Sequence, residues 1–178
     1  MRRSRGRAKR ETLSEVLGPD DAERAFRFFE QDVDRRVSSG GIEPLPRARE
    51  SLEALREGGV RILLTTGFSP RIRDGILDAL GWSLLIDLAL SPEDVGGRGR
   101  PDPDMILSGL SRLGIEDARE AAVVGDTVHD LVAGSRAGAA IVAGLLTGAH
   151  TREELAAAPH THILDSIGDF PEIVLGRR

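Results

Sequence analysis

From Arg47 to Leu164, segments with helical spacing alternate with short apolar runs, and no feature of the chain restricts its fold more. The spacing predicts helices over Arg47–Glu57, Pro70–Leu80, Pro103–Leu113, Asp130–Ala137 and Thr151–Ala158. Strands are expected between them, over Val60–Thr65, Leu84–Leu88, Ala121–Val124, Ala140–Leu146 and His162–Leu164. Units of this kind wind into an α/β fold, a doubly wound parallel sheet, and ligands bind such sheets outside the carboxyl ends of the strands.

The rhythm is different before Gly40-Gly41. Ala22, Ala25, Phe26, Phe29 and Val33 recur at three- and four-residue steps, and Gly18-Pro19-Asp20 stops one helix and starts the next. Two short helices with one apolar face each need something to cover. Residues 1–40 are therefore expected to form a partial helical cap, and residues 41–178 the α/β core.

At 178 residues and 40% apolar content the chain can bury one core and carry an appendage. A net charge of −5 argues against a general nucleic-acid or membrane-surface protein, despite the basic start from Arg2 to Arg10. That start has no interleaved aromatics for base stacking, and no signal-peptide hydrophobic region follows it. Without cysteine there is no disulfide framework or thiol chemistry, and no apolar stretch approaches a membrane span. The expectation is a cytoplasmic enzyme or binding domain with no nucleic-acid and no membrane partner.

The predicted strand ends hold the candidate chemistry. After Ala121–Val124 comes Gly125-Asp126-Thr127-Val128-His129-Asp130, in which two carboxylates four residues apart can share one pocket. Magnesium is held by one or two carboxylates plus waters and substrate phosphate, so Asp126 and Asp130 read as its ligands. The alternative is that Asp126 caps the helix and Asp130 is a solvated first-turn acid. Thr65, Thr66 and Gly67 offer hydroxyls and backbone N–H groups suited to a phosphate oxygen, or else form an ordinary turn with Ser69 as helix cap. Arg100 lies in a stiff loop, with Asp102 and Pro103 at the cap and first turn of the next helix, and it suits phosphoryl charge unless it is simply solvated. His150, His160 and His162 match no zinc spacing, and His129 points off the face of the two acids.

In their order along the chain these segments resemble the haloacid dehalogenase-like hydrolases. Thr65 stands at that family's second motif, Arg100 at the third, and Asp126 with Asp130 at the fourth. The Leu64–Phe68 run, Gly99-Arg100-Pro101 and the Gly144–His162 tail look like the phosphonatase-like branch. The resemblance implies a Mg2+-dependent hydrolase of small phosphate esters or phosphonates. In it Thr65 and Arg100 hold the transferring oxygens, Thr66 and Gly67 bind substrate, and Asp126 carries the metal, whose shell Asp130 orients. Lys9 falls where phosphonatases carry a Schiff-base lysine, but Thr12 replaces the histidine that follows it there, so Lys9 is expected to act as a positive substrate anchor. A homodimer is allowed.

One element of the family pattern is absent. The nucleophilic Asp belongs to an Asp-x-Asp motif closing a first strand, and this sequence has no such strand. Asp32-Val33-Asp34 lies in an amphipathic helix, Asp102-Pro103-Asp104 in the loop after Arg100, and Asp87 has no second acid. The expectation is an amino-terminally truncated enzyme, inactive alone, whose neighbouring strands lack partners at the missing central position. A noncatalytic relic that binds magnesium, phosphate or a protein partner is the alternative.

Overall fold

The structure is a computed structural model and describes residues 9–176, with side chains from Thr12 onward apart from Pro19. Two helices come first, α1 (Lys9–Leu17) and α2 (Pro19–Ser38). Gly18 turns between them at φ 76°, and Pro19 with Asp20 and Asp21 opens α2, where a missing N–H and negative charge suit a helix start. At 20 residues α2 is longer than the short helix expected. It buries Ala22 and Phe26 and packs on α1 and on α4 (Pro70–Leu80).

From α3 (Ala48–Glu57) onward helices and strands alternate as expected. The order is β1 (Leu63–Thr65), α4, β2 (Leu88–Leu90), α5 (Asp104–Arg112), β3 (Ala122–Gly125), α6 (Val128–Ala137), β4 (Ile141–Leu145), α7 (Arg152–Ala156), β5 (His162–Leu164) and α8 (Phe170–Leu175). All strand pairs are parallel. Helices cover both faces. Val123 packs with Ala133 and Ala137 of α6 and Ile106 and Leu110 of α5, while Ala122 and Val124 pack with Leu55 and Phe170 on the α3–α8 side.

Several boundaries differ from expectation for identifiable reasons. The strand expected at Leu84–Leu88 forms at Leu88–Leu90, because Trp82 closes the end of α4 through its N–H to Leu77 and then accepts the N–H groups of Leu85 and Ile86, folding that apolar run into a turn. Leu84 is 88% exposed as a result. β1 begins late because the Val60 N–H goes back to Leu55 and the Ile62 N–H donates to the Asp87 carboxylate. Pro103, not Asp102, stands at the cap of α5, and α8 had no counterpart in the sequence reading.

The sheet is divided. Among the described residues β1 pairs only with β2, and β3–β4–β5 form a second ladder. β4, bonded on both sides, is buried along its whole length, whereas every residue of β3 is half-exposed although helices cover both its faces. Packing joins the two ladders: α5 packs on β1, β2 and α6, and Ile62, just before β1, shares one apolar cluster with Val124 of β3.

Candidate active site

β3 ends at Gly125, and the chain enters α6 through Asp126 and Thr127. Thr127 is the helix cap. Its N–H and hydroxyl donate to Asp130 Oδ2 at 3.0 and 2.6 Å, and its hydroxyl oxygen faces the Asp130 N–H at 3.4 Å. This reciprocal arrangement is a capping box with Asp in the third position. Gly125 makes room for it, since a Cβ there would lie 2.4 Å from the Asp130 Cβ.

The other Asp130 oxygen pairs with the Arg100 guanidinium, which brings a loop residue thirty positions away onto the first turn of α6. Asp130 is buried and Arg100 largely so, and the Arg100 Nε, itself out of solvent, has no hydrogen-bond partner among the described residues. A guanidinium held by one edge with a second donor buried and unused is suited to an oxyanion.

Asp126 has a separate environment. Its Oδ2 accepts the Ala149 N–H at 2.8 Å, and its carbonyl faces the His150 N–H at 3.3 Å. Gly148 lies so close that a Cβ there would sit 2.1 Å from the Asp126 side chain. His150 is buried, and its Nδ1 accepts the Val128 N–H at 3.0 Å, which puts the ring proton on Nε2. The loop after β4 therefore folds over the exit of β3. Sequence reasoning missed the roles of Thr127, Gly148, Ala149 and His150. The Thr-x-x-Asp spacing could have revealed the cap, but no local signal places the Gly148–His150 loop.

Thr65 closes β1, and the Thr66 N–H extends the ladder to the Leu90 carbonyl. The Thr66 hydroxyl accepts the Phe68 N–H at 3.2 Å and so shapes the turn through Gly67. Ser69 stands at the cap of α4, yet its hydroxyl donates to Glu30 of α2 instead of capping the helix. Phe68 stacks on Phe29 at 5.8 Å, and Arg71 pairs with Asp34 at 2.5 Å, so α2 rests on the Thr66–Gly67 turn and the start of α4.

The structure thus joins Arg100, Thr127 and Asp130, with Asp126 adjacent in the chain. Among the described residues no hydrogen bond or ion pair links Thr65, Thr66 or Gly67 to them. Lys9 opens α1, and its side chain lies outside the described residues. A surface groove lined by Leu107, Leu110 and Ile115 contains none of the site residues.

Among the described residues no group of three or more His, Cys, Asp or Glu side chains converges on one point. Both Asp130 oxygens are engaged by protein donors, whereas Asp126 uses only Oδ2. One available carboxylate oxygen at a strand exit fits magnesium, which keeps several waters and takes substrate phosphate as a ligand, and does not fit a cation needing a full protein cage.

The profile of the haloacid dehalogenase-like hydrolases matches residues 2–138. This chain belongs to that family. A probable phosphatase, IndB, of Dickeya dadantii is 36% identical over 129 residues, which cover 72% of this chain and 54% of the relative. A phosphonoacetaldehyde hydrolase of Bacteroides fragilis is 31% identical over 137 residues, covering 75% and 52%. The chain spans about half the length of these relatives. Among solved structures, a hydrolase from Pseudomonas syringae superposes with a TM-score of 0.80 at 27% identity, covering 95% of this chain and 78% of that one. A phosphonoacetaldehyde hydrolase-like protein from Oleispira antarctica reaches 0.83 at 22% identity over 99% and 79%, which shows the shared fold. The family match and the phosphonoacetaldehyde hydrolase relative bear out the phosphonatase-like branch of the family. Among the described residues no helix is long and apolar enough to cross a membrane.

Proposed function

We propose that this chain supplies the phosphate-holding and magnesium-holding residues of a hydrolase of small phosphate esters, and that its attacking carboxylate comes from polypeptide outside residues 9–176. The observation that carries the reading is Arg100, fixed by Asp130 with its Nε buried and unpaired beside the exit of β3. Asp126 would hold magnesium through its unengaged oxygen. When bound there, the cation neutralises charge on phosphoryl oxygens. Asp130 positions Arg100 and braces the turn that carries Asp126, and Thr65 with the Thr66–Gly67 turn meets the remaining oxygens. The helices before Gly40 act as a partial cap, with α2 resting on that turn.

Two described strands are followed directly by an acid, and at β3 that acid is Asp126, which this reading gives to the metal. β5 is followed by Asp165, but that side chain is 84% exposed, pairs with Arg152 and has no second acid beside it to protonate a leaving group. The same fact favours the second reading, a relic that binds magnesium or phosphate without turnover. Similarity to phosphatases and to phosphonoacetaldehyde hydrolases leaves two chemistries, and Thr12 in place of a histidine after Lys9 favours ester hydrolysis.

The test fuses a strand ending in Asp-x-Asp ahead of Met1 and assays small phosphate esters with magnesium. Hydrolysis of at least one ester, with no borohydride-trapped phosphonoacetaldehyde adduct on Lys9, is expected. A trapped adduct with acetaldehyde release would make the protein a phosphonatase, and magnesium binding without any hydrolysis would favour the relic.

A further inference from the structure

We propose that Arg73 is a positioning residue that sets the distance between the Thr66–Gly67 turn and the loop carrying Arg100. Among the described residues these two oxyanion-holding elements share no direct hydrogen bond or ion pair, so their spacing has to be held by something else. Arg73 lies on the first turn of α4, the helix that follows the Thr66–Gly67 turn, and its N–H returns to the Ser69 carbonyl at 3.0 Å. Its neighbour Arg71 reaches outward to Asp34 of α2. Arg73 turns inward instead, and only 10% of its side chain is exposed. One nitrogen, Nη1, donates to Asp94 Oδ2 at 2.6 Å and to the Ser91 hydroxyl at 3.2 Å. Ser91 directly follows β2 and is fully buried, and its N–H donates to the same Asp94 oxygen at 2.8 Å.

From this anchor the chain runs to Arg100 through a short path that is itself tied down. The Gly97 N–H returns to the Pro92 carbonyl at 2.8 Å, and beyond Arg100 the Arg136 guanidinium of α6 donates to the Pro101 carbonyl at 3.2 Å. The loop is thus pinned on both sides of Arg100, and Arg73 is the pin that leads back to the Thr66–Gly67 turn. Fold stability alone does not call for an ion pair at this place. Taking two charges out of water costs about as much as their attraction returns, and a packed apolar pair would serve a core equally well. What the pair adds is one fixed register between α4 and the loop, and a group that stabilises phosphoryl charge works only when it is held in place before the charge arrives. This inference rests on the reading of Arg100 as an oxyanion holder and deepens it.

The probe is inorganic phosphate, titrated by calorimetry into the full chain with magnesium present. Arg73→Met, which keeps the length of the side chain and removes its donors, should weaken phosphate about tenfold and leave magnesium affinity within about twofold. Arg73→Lys should restore phosphate affinity to within about twofold, because a single nitrogen makes both contacts and an ammonium can replace it. In an Arg100→Met background the Arg73→Met change should cost less than about twofold, since its effect passes through Arg100. Should Arg73→Met not fold, Asp94→Asn removes the counter-charge at constant shape and carries the same expectations. Undiminished phosphate affinity in Arg73→Met, a parallel loss of magnesium affinity, or the same loss with and without Arg100 would overturn the proposal. Unchanged phosphate affinity in Arg100→Met, or no measurable phosphate binding by the chain, would refute the underlying reading of Arg100 and this inference with it. The two failures are therefore distinguishable.

Discussion

The Arg100 guanidinium is held by the Asp130 carboxylate in a largely buried pair whose side chains are 16% and 5% exposed. The same carboxylate closes the cap of α6 through Thr127, so one acid ties the loop after β2 to the exit of β3. Under the proposed function Asp130 has a positioning role and Asp126 is the acid that would hold the metal.

The pair should be strongly coupled. Asp130→Ala leaves a buried guanidinium without its counter-charge and is expected to cost about 3–5 kcal/mol in urea unfolding. The double variant with Arg100→Ala should lose less than the sum of the single changes, with a coupling of about 1–3 kcal/mol. Strict additivity would show that the two side chains do not act together.

Magnesium affinity separates the two acids. In calorimetry Asp126→Asn should abolish binding, whereas Asp130→Asn, which acts through its neighbours, should weaken it about 10–100-fold. Equal or reversed losses would exchange the two roles.

Gly148→Ala should resemble Asp126→Asn. The added methyl would lie 2.1 Å from the Asp126 side chain and displace its carboxylate. The expected result is at least a tenfold loss of magnesium affinity, and unchanged affinity would mean that the Gly148–His150 loop is not part of the site.

Away from the site, Asp94 predicts an acid-dependent loss of stability. Burial pushes its carboxyl up, but the Ser91 N–H at 2.8 Å and the Arg73 guanidinium at 2.6 Å outweigh this and hold it below the ordinary carboxylate value. A group depressed in the folded state stabilises above its unfolded pKa of about 3.9 and loses that contribution as pH falls through the lower folded value. The stability difference between the wild type and Asp94→Asn should be flat from about pH 5 to 8 and shrink below about pH 4. A constant difference down to pH 2 would contradict this pairing.

Local punctuation made much of the fold legible. Pro70–Leu80 was read to the residue because Ser69-Pro70 and Gly81 mark its ends, and β5 likewise. The Leu84–Ile86 run misled because short apolar runs do not distinguish a strand from a turn whose N–H groups return to Trp82. At the site, the position of Asp126 at a strand exit was visible. The Arg100–Asp130 pair and the loop over Asp126 were not, since they join residues 30 and 23 positions apart that meet only when the helices pack.

The most direct test of the account is turnover of p-nitrophenyl phosphate and acetyl phosphate by residues 1–178 with magnesium, on protein shown by calorimetry to bind the cation. The account predicts magnesium binding with no hydrolysis above background, because Asp126 is given to the metal and no other described strand exit presents a carboxylate beside a second acid. Hydrolysis that survives repurification and disappears in Asp126→Asn would contradict it.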